Sequence, residues 1–219
     1  MGVRVKICGL TNIDDARFAV QAGADMLGFI FYPASPRHVT VEKAQSIINL
    51  LKVEFGEETP ILIGVFVNDS AKVIESTMSL VGLDLAQLSG DEPPDVLAQL
   101  QGRAFKVIHP ESLDDAVAQF DRYVPFAPTE HFFPEIMVDT YHPNLHGGTG
   151  QLGDSEIIKQ IVALSDRTMV AGGLNPDNVA DVVWKFQPFG VDVASGVEES
   201  KGKKDFTKVK SFIANAKGR

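Results

Sequence analysis

Short runs of β-branched and other apolar residues alternate with helically spaced apolar patterns eight times along the 219 residues. No other feature of the chain constrains its fold as strongly. Strands are expected at 3–7, 26–31, 61–67, 85–88, 104–108, 136–138, 168–171 and 191–193. Helices are expected at 13–22, 41–51, 71–80, 95–100, 113–120, 155–164, 178–186 and 206–216. Helix-start signals agree: Asp14 and Asp15, Thr40, Pro93-Pro94 and Asn175-Pro176-Asp177 all precede or open these patterns. Gly23 stands where a left-handed residue would end the first helix. Eight strand–helix units, mostly joined by short connections, imply a parallel sheet. Parallel strands are covered on both faces and read as unbroken apolar runs, as ILIGVFV does. The fold class expected is α/β, a single (β/α)8 barrel over 1–219, with an open doubly wound sheet as the alternative.

Bulk properties remove several function classes. The formal net charge of −9 argues against a nucleic-acid partner. Seven Lys or Arg in 201–219 are read as a solvated last helix. A single cysteine forbids an intramolecular disulfide and suggests a reducing compartment. The N-terminus MGVRVKICGL lacks the apolar core of a signal peptide, and the apolar run at 61–67 is far too short to cross a bilayer. The expected setting is the cytoplasm, with no membrane contact. A monomer or a homodimer is expected.

Barrels of this class carry their chemistry just beyond the C-terminal ends of the strands. Two glycine-bearing turns stand out there, Gly172-Gly173 after strand 7 and Ser195-Gly196 after strand 8. Their unobstructed N–H groups suit a phosphate, and Lys201, Lys203 and Lys204 downstream would add attraction. Cys8 ends strand 1 and Asp139 ends strand 6, positions expected to face each other across the barrel mouth as a candidate acid–base pair. Arg37, in a loop stiffened by Pro36, suits a carboxylate. Asp192 lies inside strand 8, where it needs a partner, a substrate or a strand-end hydrogen bond. The five histidines show no zinc-ligand spacing, so no metal is expected. No G-x-G-x-x-G follows the first strand, so no nicotinamide cofactor is expected, nor any other. The segment 141–153, rich in Gly and His, follows a strand directly and could act as a lid.

These strand-end motifs together resemble one family. Lys6-Ile7-Cys8-Gly9-Leu10-Thr11 is similar to the opening of phosphoribosylanthranilate isomerases. The likeness continues through Gly28-Phe29-Ile30-Phe31, Ser35-Pro36-Arg37, Gly64-Val65-Phe66-Val67-Asn68 and Gln87-Leu88-Ser89-Gly90-Asp91-Glu92. It ends with Asp139-Thr140, Gly147-Gly148-Thr149-Gly150, Ala171-Gly172-Gly173-Leu174-Asn175, Gly190-Val191-Asp192-Val193 and Ser195-Gly196-Val197-Glu198. The resemblance implies a cofactor-free Amadori rearrangement of N-(5-phosphoribosyl)anthranilate in tryptophan synthesis. It implies Asp139 as the acid that opens the sugar ring and Cys8 as the base that takes the C2′ proton. It further implies Arg37 on the anthranilate carboxylate, Gly172, Gly173, Ser195 and Gly196 around the phosphate, and Asp192 near the reacting sugar. Ser89 departs from the histidine common at its place, Gln151 to Ser155 from an aromatic run, and Ala194 from a frequent serine. The related isomerase of histidine synthesis would need a second phosphate cradle and an acid in place of Cys8.

Overall fold

The computed structural model describes residues 2–139 and 152–218. Eight parallel strands close into a barrel in sequence order, which rules out the open sheet. They are β1 (Arg4–Ile7), β2 (Met26–Ile30), β3 (Ile61–Phe66), β4 (Leu85–Leu88), β5 (Ala104–Ile108), β6 (Ile136–Asp139), β7 (Thr168–Ala171) and β8 (Gly190–Val193). Helices α1 (Ile13–Gln21), α2 (Val41–Phe55), α3 (Ala71–Val81), α4 (Pro94–Gln99), α5 (Leu113–Tyr123), α6 (Leu152–Leu164), α7 (Val179–Phe186) and α8 (Phe206–Lys217) follow the strands in turn. The spacing-based elements are all present, with boundaries shifted by a few residues. The candidate lid at 141–153 lies outside the described residues up to 151.

Local chemistry explains the helix limits. Asn12, Thr40, Ser70, Ser112 and Asp205 each accept a backbone N–H from the first turn that follows them. Gly23 follows α1 at φ 94, a conformation that costs glycine little. The Asn175 side chain takes the N–H groups of Asp177 and Asn178 in a turn that precedes α7.

Strand parity divides the core into two layers. Val5, Ile7, Leu27, Phe29, Leu62, Phe66, Ile136, Val138, Val170, Val191 and Val193 face outward and pack under the helices. Met26, Ile63, Leu85, Phe105, Val107, Met137, Met169 and Ala171 fill the barrel. On the face away from the strand ends, Asp25 accepts the N–H of Val5 at 2.8 Å and Asp84 that of Leu62 at 2.7 Å. Each is the residue just before a strand, and each ties that strand's entry to the neighbouring strand.

The chain between β8 and α8 was not legible. After β8, a single turn of 3-10 helix over Ser195–Val197 leads into an antiparallel pair, β9 (Glu198–Ser200) and β10 (Lys203–Lys204). Strands of only three and two residues, all polar or charged, carry no hydrophobic period by which to find them.

Phe105 is fully buried inside the barrel. Replacing it with alanine is expected to cost about 3–5 kcal/mol of stability, read from urea unfolding. A loss under about 1 kcal/mol would contradict a tightly packed barrel interior.

Candidate active site

Because Val5 and Ile7 face outward, Lys6 and Cys8 face into the barrel. β8 is registered so that Asp192 stands beside Lys6. Lys6 Nζ donates to Asp192 Oδ1 at 2.9 Å, and Lys6 has no solvent exposure at all. Burial would lower the lysine pKa, but the charges and hydrogen bonding of Asp192 and Cys8 outweigh it and raise it. The partner left open for Asp192 is therefore Lys6. Lys6 is also the site residue that the sequence reading passed over, although its i, i+2 spacing from Cys8 signals a shared face.

Cys8 is 4% exposed, and its N–H donates to Val193 O at 2.9 Å, which anchors it to the end of β8. Burial pushes its thiol pKa up. Lys6 and Lys204 pull it down without cancelling that rise, and Asp192 adds to it. β2 contributes room here. A Cβ on Gly28 would lie 2.7 Å from Cys8 Sγ and 3.1 Å from Lys6 Nζ, so both groups crowd a space that only glycine leaves open.

Arg37 sits half-buried in the loop after β2 and already holds a carboxylate of the chain. Its Nε and Nη2 donate to Glu198 Oε1 and Oε2, both at 2.7 Å. Glu198 also receives Lys204 Nζ at 3.2 Å. Burial would raise the Glu198 carboxyl, but hydrogen bonds and charge from Arg37 and Lys204 hold it below the usual range. Lys204 is buried, donates to Ala194 O at 2.9 Å, and has its pKa lowered by that burial. Lys203 pairs with Glu199 on the surface at 2.8 Å. These two lysines are thus committed to the β9–β10 hairpin and its support.

The turns after β7 and β8 adjoin. Gly172 and Gly173 have φ of 99 and 66, in the left-handed region. A Cβ on Gly196 would lie 1.9 Å from Leu174 O, so glycine is what lets the two loops touch. Ser195 is exposed at the start of the 3-10 turn. Asp139 ends β6 in register with Ala171, and its carbonyl lies 3.3 Å from His109 Nδ1. Going round the barrel from Cys8, Asp139 is reached after β8 and β7. Gln87 on β4 donates to Ser89 Oγ at 3.1 Å, which occupies the departure at Ser89. Among the described residues, no three His, Cys, Asp or Glu side chains gather as metal ligands do.

Residues 5–215 match the family model described as N-(5′-phosphoribosyl)anthranilate isomerase. The chain is 40% identical over 217 residues to N-(5′-phosphoribosyl)anthranilate isomerase of Trichlorobacter lovleyi, covering 98% of both chains. It is 42% identical to that of Pelobacter propionicus, covering 98% of this chain and 96% of the relative. Among solved structures, it is similar to phosphoribosyl anthranilate isomerase from Thermotoga maritima, with 38% identity and a TM-score of 0.85. That match covers 99% of this chain and 100% of the other. A further match, at 36% identity and TM-score 0.79, is the isomerase in complex with reduced 1-(o-carboxyphenylamino)-1-deoxyribulose 5-phosphate, covering 99% and 100%.

Glu198 is the shared partner of Arg37 and the buried Lys204. Glu198→Ala strands that ammonium and is expected to destabilise the fold by about 3–5 kcal/mol in urea unfolding. A change within experimental error would show that the pair is not buried in solution.

Proposed function

The chain belongs to the N-(5′-phosphoribosyl)anthranilate isomerase family, and we propose that it works with Cys8 as general base and Asp139 as general acid. The reaction is the Amadori rearrangement of N-(5′-phosphoribosyl)anthranilate to 1-(2-carboxyphenylamino)-1-deoxyribulose 5-phosphate, a step of tryptophan biosynthesis. Asp139 gives a proton to the furanose ring oxygen, the C1′–O bond breaks, and a Schiff base forms. The Cys8 thiolate then removes the C2′ proton, and the released electron pair neutralises the iminium nitrogen to give the enolamine. Tautomerisation yields the ketone. The observation that carries this reading is the position of the chain's one thiol, inward at the C-terminal end of β1 beside Lys6.

The remaining residues supply binding. Gly172, Gly173, Ser195 and Gly196 form the phosphate cradle, supported by the left-handed glycines and by the contact between the two loops. Arg37 faces the anthranilate carboxylate with the N–H donors that Glu198 does not take. Asp192 offers an oxygen to the sugar while Lys6 holds the other. One barrel is the whole catalytic unit in this reading. It works in the cytoplasm and needs no cofactor; among the described residues no helix is long and apolar enough to cross a membrane.

The histidine-pathway isomerase fits less well. Its second phosphate would need free N–H groups in the loops after β3 and β4. There, Glu92 accepts from Asn68 N at 2.8 Å and from Gly90 N at 3.0 Å, so a carboxylate already fills that place.

A fluorescence assay of phosphoribosylanthranilate loss, with the histidine-pathway substrate as control, tests the assignment. Cys8→Ser and Asp139→Asn are each expected to lower kcat by about 10²-fold or more with little change in Tm. A fully active Cys8→Ser enzyme would sink the base assignment. Arg37→Ala is expected chiefly to raise KM, and an unchanged KM would count against the carboxylate contact. Because burial raises the Cys8 pKa and the base form is the deprotonated one, kcat/KM should climb as pH rises from neutral into the alkaline range. A rate that falls over that interval would contradict Cys8 as the base.

A further inference from the structure

A buried thiol is a poor base, because desolvation disfavours the thiolate. Four charged side chains from four places in the fold act on Cys8. They are Lys6 on its own strand, Asp192 on β8, Lys204 on β10 and Arg37 in the loop after β2. With Glu198, this makes three cations against two carboxylates. The cations are not equivalent. Arg37 and Lys204 both donate to Glu198, which lies between them. Lys6 instead donates to Asp192 at 2.9 Å, and its ammonium reaches the Cβ-sized space over Gly28 that Cys8 Sγ also borders.

Resting on the reading of Cys8 as base, we propose that Lys6 is a positioning residue that stabilises the thiolate and so keeps Cys8 usable as a base. Lys6 precedes Cys8 by two residues on the same face, one layer deeper in the barrel, so it touches the sulfur's surroundings from below and leaves the mouth to the substrate. Asp192 fixes the ammonium there and keeps it charged. When Cys8 takes the C2′ proton, the thiolate becomes a thiol, and the Lys6–Asp192 pair is left as a closed, neutral unit. The cost of carrying a negative sulfur in a dry pocket is thereby met only while the sulfur is negative. Asp192 and Cys8 both raise the Lys6 pKa against the lowering effect of burial, which favours the charged ammonium.

A merely structural pair would staple β1 to β8 and leave the sulfur's titration alone. The chain has one cysteine, so its thiolate can be followed by ultraviolet absorbance with Cys8→Ser as the blank. In Lys6→Met, the thiol titration is expected to move up by about one pH unit, a thiolate fraction about tenfold smaller at neutral pH. kcat at neutral pH should fall in parallel, KM should change little, and activity should recover as pH is raised. Should Lys6→Met alone not fold, Lys6→Met with Asp192→Asn is compared with Asp192→Asn alone, because Asp192 itself raises the thiol, and the double variant is expected to titrate higher than that single variant. A Lys6→Met titration that coincides with the wild type, or a double-variant titration that coincides with Asp192→Asn, overturns the proposal. The absorbance reads Lys6's effect whether or not Cys8 proves to be the base, so an active Cys8→Ser enzyme would be recognised as a failure of the base assignment instead.

Discussion

The barrel closes between β1 and β8, and the Lys6–Asp192 pair lies across that seam. Closure leaves no free sheet edge, but it needs the first strand to find the last in one register. The observed register runs from Arg4 beside Gly190 to Ile7 beside Val193. A slip of one residue would turn Lys6 out among the helix-facing apolar residues and bring Val5 into the barrel. It would also leave Asp192 without its cation. A buried pair of this kind is often no more stabilising than an apolar pair of similar size, so what we expect of it is specification of the register rather than added stability.

Glycine on both sides of β1 makes that arrangement possible. On β2, Gly28 leaves the volume that Lys6 Nζ and Cys8 Sγ border. On β8, a Cβ at Gly190 would come within 2.9 Å of Arg4 O. The lysine can thus lie inside the barrel without forcing β2 away, and β8 can close against the Arg4 carbonyl. The neighbouring layers are filled by Met26, Ile63, Phe105 and Met169, so the ionic pair ends the apolar interior and begins the pocket.

What was legible in the sequence follows from which forces act locally. The eight units could be read because parallel strands must be apolar on both faces and the covering helices on one. Boundaries drifted where pairing outran the apolar pattern: β6 runs to Asp139 because Asp139 still pairs with Ala171. Cys8 and Asp139 became candidates by their place at strand ends, and the separate roles proposed for them came from the family likeness. Lys6 was missed because that rule looks beyond a strand and not within it. The Arg37–Glu198 fork joins residues 161 apart, and the Glu198 strand is too short to announce itself, so nothing local pointed to it. For the same reason Lys204, read as a phosphate attractant, proved to be a buried support for the β8 loop.

The fork also changes what Arg37 can do. The chain carries a net charge of −9, and the substrate of this family is itself an anion with a carboxylate and a phosphate. A free arginine at the mouth would attract that carboxylate strongly but would have to be ordered on binding, which costs about 0.5–1.5 kcal/mol for a rotamer-rich side chain. Glu198 removes much of the attraction and fixes the plane of the guanidinium before substrate arrives. Gly9 reinforces this, because a Cβ there would meet Arg37 Cδ at 2.6 Å; the arginine stem lies flat on the backbone just after Cys8. Charge is therefore exchanged for orientation. In the proposed reaction, an anthranilate carboxylate bound to a fixed guanidinium beside Cys8 would hold C2′ near the sulfur, and for proton transfer from carbon such placement counts for more than added affinity.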